Sequence, residues 1–310
     1  MCMKQAIWAY DLLDSARVDG ASVAEALKAV GLKTSINRIT GPKGYTDFIK
    51  VVVPGKDGRA MGGKAPTLGI VGRLGGIGAR PERVGLVSDG DGAVTAVTVA
   101  LKLGTMKLNY DDLEGDVIVG THICPDAPTQ PHDPVPFMGS PVDIATMNML
   151  EIDPEMDAVL SIDTSKGNRI LNHKGFAISP TVKDGYILRI SEDLLNIMQW
   201  TTGRLPVVLP ITTQDITPYG NDVYHLNSIL QPATATDAPV VGVAITAESV
   251  VPGCATGASH VGDIECAARF CVEVAKAFGA GTCKFYNEAE YDRLVRLYGD
   301  MKMLQTLGKA

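Results

Sequence analysis

The residues able to do chemistry gather in a few short stretches. Asp89-Gly-Asp91-Gly follows the apolar run Val84–Val87 and opens a segment of helical character. Two carboxylates on a glycine-loosened strand-to-helix turn sit where α/β folds place ligands, at the carboxyl ends of strands. The plainer role for either is a helix cap. Thr121-His122-Ile-Cys124-Pro125-Asp126 lies just past the apolar run Asp116–Thr121. Imidazole, thiol and carboxylate there could serve a metal or general acid–base chemistry; alternatively His122 bonds the loop and Cys124 packs. Ser161-Ile162-Asp163-Thr164 ends a third apolar run with a carboxylate, which could equally begin a turn. His260 follows Gly257-Ala-Ser259 and precedes Asp263. His173 and His225 have no companion motif and read as structural, and His132 stands undecided in a proline-rich stretch.

Other chemistries fail on spacing. Thr67–Val71 runs into Gly72, Gly75, Gly76 and Gly78, but no G-x-G-x-x-G turns into a helix, no G-K-[ST] closes a phosphate loop, and Pro81 blocks a clean helix start. Ser259 is not in a G-x-S-x-G elbow, and no HExxH occurs. The six cysteines show no CxxC and no disulfide-framework spacing. With 28 Lys and Arg against 35 Asp and Glu, the net charge of −7 excludes a nucleic-acid partner, which needs clustered cations. No run approaches the roughly 20 apolar residues of a membrane span, and Met1–Gln5 does not start a signal peptide. These features predict a cytoplasmic protein with reduced thiols and no membrane partner.

The elements that must position these residues are legible as Val- and Ile-rich runs alternating with helical segments. That alternation predicts a three-layer α/β/α sandwich with a mixed, mostly parallel sheet, as a single domain over residues 1–310. Strands are predicted at Phe48–Val53, Thr67–Gly72, Val84–Val87, Asp116–Thr121, Ala158–Asp163, Tyr186–Ile190, Val207–Thr212 and Val240–Ala247. Helices are predicted over Ala93–Leu103, stopping at Gly104, and Glu192–Thr202, between the cap Ser191 and Gly203. Two more follow Asp263, ending at Gly279, and Asn287-x-x-Glu290, a capping box. Six prolines in Cys124–Pro141 exclude helix and central strand there.

The order of these pieces resembles the cocatalytic zinc aminopeptidases, particularly their glutamyl-aminopeptidase and endoglucanase-like branch. The matching stretches are Leu68-Gly-Ile-Val-Gly-Arg73-Leu-Gly75-Gly-Ile-Gly78, Ser88-Asp89-Gly-Asp91-Gly, Asp116-Val-Ile-Val-Gly-Thr-His122, Ala158-Val-Leu-Ser-Ile-Asp163, Gly220-Asn-Asp222 and Asp263-Ile-Glu265. The resemblance implies a zinc-exopeptidase-like fold and two zincs. Along its length the chain also resembles a bacterial family, domain of unknown function 1177, which implies no activity.

The departures from the aminopeptidase pattern bear on the chemistry. The first metal His falls on Arg73 and its companion Asp on Gly75, while the Glu-Glu pair falls near Cys124-Pro125. A guanidinium stays protonated and cannot ligate, and two surviving carboxylates do not hold zinc unaided. The short interval from Gly78 to Asp89 leaves no room for an inserted second domain. The expectation is therefore at most one divalent ion per chain, zinc or another, with none equally compatible. Its ligands would be Asp89, His122, Asp163 and His260. His122, Asp91 and Cys124 would be catalytic, and Arg73, Asp222 and Asp126 would bind substrate, with Arg73 offsetting the repulsion between Asp89 and Asp163. Three readings follow: a hydrolase of small peptides or amides with a rebuilt metal site, a metal-free small-molecule-binding or regulatory protein, or a Cys124-dependent enzyme. The expected ligand is a small peptide or amino-acid-like molecule, and self-association stays open.

Overall fold

Along the chain run α1 (Met3–Leu13), α2 (Gly20–Lys28), β1 (Thr34–Gly41), β2 (Gly44–Val53), β3 (Leu68–Gly72), α3 (Asp91–Leu108) and β4 (Val117–Ile123). Next come β5 (Thr129–Gln130), β6 (Phe137–Met138), α4 (Ile144–Glu151), β7 (Ala158–Thr164), β8 (Gly175–Ile178), β9 (Val182–Lys183) and β10 (Tyr186–Ile187). The last elements are α5 (Glu192–Thr202), β11 (Val240–Thr246), α6 (Val261–Gly279) and α7 (Glu288–Tyr298). The structure is a computed structural model that describes the chain except residues 74, 76, 79–84, 132, 134–135, 167–169, 212–226, 249–250, 252–255 and 306–310, and the side chain of residue 137.

The four most apolar runs lie at the centre of one sheet, ordered β1-β2-β4-β3-β7-β11-β9-β10, with β8 also paired to β11. β4, β3, β7 and β11 are mutually parallel. The antiparallel β1 and β2 extend one edge, and β8, β9 and β10 the other. Continuous apolar sequence suits these central strands because both faces are covered. On one face, α1, α3, α5 and α6 bury Leu68, Ile70, Val117, Val119, Leu160 and Ile162. On the other, α4 and the 3-10 segment Ser228–Thr234 cover Val71, Ile118, Val159 and Ala244. The result is an α/β/α sandwich with a mixed sheet. No helix among the described residues is long and apolar enough to cross a membrane.

Several boundaries follow from local chemistry. Ser191 caps α5 by accepting from the Leu194 N–H, and Gly203 ends that helix at φ +68°. Asn287 caps α7 through the Glu290 N–H. Other boundaries depart from the sequence reading. α3 continues through Gly104, where the missing side chain admits Val30: an added Cβ would lie 2.7 Å from its Cγ2. Asp263 sits inside the first turn of α6, and His260 occupies the cap position. Of the expected strand Val207–Thr212, whose last residue lies outside the described residues, Val208 forms an isolated bridge to Ile178; Tyr186–Ile190 shortens to β10; and of Val84–Val87, whose first residue lies outside the described residues, 85–87 lead into a 3-10 turn, Ser88–Gly90. The mostly exposed β1 carries no apolar signal and was not expected. Among the described residues the proline-rich stretch stays out of the main sheet; it forms the β5–β6 pair, and Cys124 and Ala127 make backbone hydrogen bonds with Gly75, Ile77 and Gly78.

The first turn of α3 rests directly on the carboxyl ends of β3 and β7. A Cβ on Gly92 would lie 2.4 Å from the Arg73 carbonyl oxygen and 2.7 Å from that of Ile162; one on Gly72 would lie 2.4 Å from the Gly92 carbonyl oxygen. These glycines permit close backbone approach. Gly92→Ala is expected to cost about 2–3 kcal/mol in urea unfolding, because neighbouring backbone must shift. Gly262→Ala, in α6 and facing open space, should be neutral or stabilise by up to about 1 kcal/mol.

Candidate functional site

Strand register brings three polar residues into one row. Beyond the Gly72–Thr121 and Gly72–Ile162 pairs, the next position of β4 is His122, the residue after β3 is Arg73, and the next position of β7 is Asp163. All three belong to the face covered by α4, since side chains alternate along a strand and Val71, Ile118 and Val159 lie on that face. The row is buried and lies at the carboxyl edge of the parallel strands.

Arg73 is 1% exposed. Its Nη1 donates to Glu151 Oε2 at 2.5 Å and to Asn148 Oδ1 at 2.7 Å, both on α4. Glu151 uses its second oxygen on His122, with Oε1 2.8 Å from Nδ1. The backbone N–H of Gly75 donates to His122 Nε2 at 3.0 Å. A nitrogen that accepts a hydrogen bond carries no proton, so the ring proton lies on Nδ1 and is donated to Glu151. Gly75 is fixed in turn, because a Cβ there would fall 1.5 Å from the His122 carbonyl oxygen. Burial opposes the charge on Glu151, but Arg73 beside it and the His122 hydrogen bond outweigh that and hold its carboxyl below the usual range.

This arrangement revises several expected roles. His122 has both ring nitrogens committed within the protein, so neither offers a lone pair to a metal or a substrate proton. Cys124 packs with Val87, Ala127 and Met138, and burial pushes its thiol up to about 11. A thiol protonated at neutral pH is not the expected nucleophile. Asp91 projects from α3 on the opposite face, where Lys166 donates to its Oδ2 and also to the Ala258 carbonyl at 2.8 Å. Burial pushes the Asp91 carboxyl up, against the lowering effects of Lys166, Ser259 and His260. It is thus a buried ion-pair partner rather than an exposed acid or base.

The expected metal ligands are spread along the edge. Asp163 is 2% exposed; its Oδ1 accepts the Thr164 N–H and its Oδ2 accepts the Ser228 hydroxyl at 3.4 Å. Asp89 lies in the 3-10 turn before α3, which Thr164 ties to β7 by donating to the Ser88 carbonyl at 2.8 Å. His260 is exposed at the start of α6, electrostatically close to Asp91 and Asp263. Among the described residues, no three His, Cys, Asp or Glu side chains gather to hold a metal. A dinuclear centre does not fit these residues: a guanidinium stands at its first position and the nearest imidazole is committed. Asp126 is exposed in the turn after β4, while Asp222, His132 and His225 lie outside the described residues.

Sequence reasoning missed Glu151, Asn148 and Lys166. Glu151 had a signal: it is the one charge in the apolar stretch Met147–Ile152, and a charge in a buried segment needs a partner. A groove of about 1110 Å³ opens at the opposite, amino edge, between Pro66, Asp157, Pro239 and Phe285. Of its charged residues, Arg59 pairs with Asp157 and Lys284 with Glu288. The carboxyl edge, with its buried polar row, is the stronger candidate.

The family model described as "Protein of unknown function (DUF1177)" matches residues 37–308. No curated protein matches the chain by sequence. Among solved structures, a mutant of tomato leucine aminopeptidase is similar, with a TM-score of 0.52 and 12% identity over 87% of this chain and 60% of that one. This chain therefore spans about three fifths of that protein, and the likeness concerns the fold.

Two outcomes are expected from the site geometry. Glu151→Gln should lower stability by about 3–5 kcal/mol, since Arg73 is left buried without its counter-charge. The sign of its pH dependence follows from the lowered carboxyl. The wild-type advantage is fully present above the unfolded glutamate range and is lost as pH falls through the folded value; denaturant unfolding of both proteins from pH 7 to pH 3 measures it. Separately, iodoacetamide at pH 8 should leave Cys124 unmodified in the native protein and label it after denaturation, as read by peptide mass spectrometry.

Proposed function

The chain belongs to the DUF1177 family, and we propose that it is a small-molecule-binding protein on an aminopeptidase-like sandwich, taking a small peptide or amino-acid-like ligand at the carboxyl edge of its parallel strands without a dinuclear metal centre. One observation carries this reading. Where the aminopeptidase pattern calls for a metal-binding imidazole, Arg73 forms a buried ion pair with Glu151, and Glu151 also holds His122 as an Nδ1–H donor. A cation at a metal position supplies fixed charge and directed donors but neither Lewis acidity nor an activated water.

A hydrolase with one divalent ion is the second reading. What favours it is the closeness of two carboxylate-bearing segments: the Thr164–Ser88 hydrogen bond joins the turn of Asp89 to the strand end of Asp163. A catalytic ion normally takes three protein ligands, so this reading needs a donor beyond those two carboxylates.

The purified full chain, dialysed against micromolar zinc, is expected to retain less than one ion per chain by elemental analysis. Its melting temperature should be insensitive to EDTA, and it should release no p-nitroaniline from amino-acid p-nitroanilides. Stoichiometric zinc with chelator-sensitive hydrolysis would favour the hydrolase instead.

A further inference from the structure

We infer that a small cavity between α5, α6 and β8 is a second binding site, independent of the Arg73 row, and that it takes a phosphate dianion, free or as the headgroup of a small ester. The cavity has a volume of about 180 Å³. It adjoins the carboxyl end of β11, since Gly175 in its wall pairs with Thr246, the last residue of that strand. Phe176 and Met198 on its apolar side belong to the core under α5 and α6, so it lies on the opposite face of the sheet from Arg73. At roughly 30 Å³ per water the space equals about six waters, which suits a phosphate group with little attached and excludes a dinucleotide.

Charge selects the ligand. Three cations line the cavity from three segments: Lys174 before β8, Arg204 after α5 and Arg269 on α6. The side chains of Lys174 and Arg204 have no ion-pair or hydrogen-bond partner among the described residues. Arg269 meets Glu265 through Nη2 at 3.4 Å, while its Nε is buried without a hydrogen-bond partner. A buried donor without an acceptor is costly, and an oxyanion in the cavity supplies one. One carboxyl group, that of Asp263, also lines the space. Burial pushes it up, against the lowering effects of His260, Lys166 and Lys174, so it opposes an incoming anion less than an exposed carboxylate does. The two unpaired cations match the two charges of a phosphate, whereas a carboxylate leaves one of them unmet. The first turn of α6 adds the positive end of its dipole, and Gly262 there leaves room: an added Cβ would meet nothing within 4 Å.

Calorimetry on the full chain at pH 8 and low ionic strength, with inorganic phosphate, phenyl phosphate and acetate, tests this. Phosphate is mainly dianionic there, and exposed charges are least screened. Phosphate should bind at least about 10-fold tighter than acetate, and Lys174→Gln and Arg204→Gln should each weaken it by about 10-fold, as expected for a lost charge-assisted hydrogen bond. Lys28→Gln, on α2 and away from the cavity, should leave binding unchanged. All three positions are exposed, so the variants keep the fold. In ¹⁵N-arginine-labelled protein the Nε–H signal of Arg269, assigned with Arg269→Lys, should move downfield as phosphate saturates the site. Tighter binding of phenyl phosphate than of inorganic phosphate would identify an ester whose apolar part lies on Leu205, 81% exposed at the rim; equal or weaker binding would identify the free ion. No phosphate binding, acetate binding as tight as phosphate, a loss with Lys28→Gln equal to that at Lys174 and Arg204, or an unmoved Arg269 signal would overturn the inference. None of these results bears on the ligand proposed for the Arg73 face.

Discussion

The ion pair between Arg73 and Glu151 is where the chain's constraints meet. Arg73 directly follows a wholly buried strand, β3, and Glu151 ends α4, the helix laid across that face. Each charge would be prohibitively costly to bury alone. Together they fix the strand end, the helix and, through His122, the Gly75 turn. A buried ion pair contributes little net stability over an apolar substitute, but it is strongly selective for one geometry, because any displacement leaves a charge without its partner.

That constraint sets which polar groups stand at the carboxyl edge of this aminopeptidase-like sandwich. In open α/β sheets the carboxyl edge is where loops and helix starts converge on a ligand. Here that edge has the expected supply of polar groups, but they are bound mainly to one another. Lys166 is held by Asp91, His122 by Glu151 and Gly75, and the turn that carries Asp89 is joined at Ser88 to Thr164, whose N–H also bonds Asp163. The scaffold is shared with a leucine aminopeptidase at the level of fold, and function resides in the side chains placed on that scaffold.

The sheet's centre was readable because continuous Val and Ile runs leave few alternatives to strands buried on both faces. α5 and α7 were readable from their caps, Ser191 and Asn287. The edge strand β1 was not, since its residues mostly face solvent and carry no apolar period. His122 and Asp163 could be assigned to strand ends from sequence, and Arg73 could be recognised as a departure from the zinc pattern. Their chemistry could not be read, because it depends on Glu151, a residue 78 positions from Arg73 along the chain. Spacing reports which residues share an element; it does not report which helix a tertiary fold lays over them. The same limit applies to Cys124, whose burial against Val87 and Met138 is a packing fact.

The most direct test of the account is the state of the His122 ring in the intact protein. Imidazole ¹⁵N shifts from long-range ¹H–¹⁵N correlation, assigned with His122→Asn, report which nitrogen carries the proton. The geometry predicts a neutral ring protonated at Nδ1 and bare at Nε2, with shifts that do not change when zinc is added in excess. A proton on Nε2, or a zinc-induced shift of either nitrogen to a metal-coordinated value, would contradict the claim that Glu151 and Gly75 commit both sides of this ring.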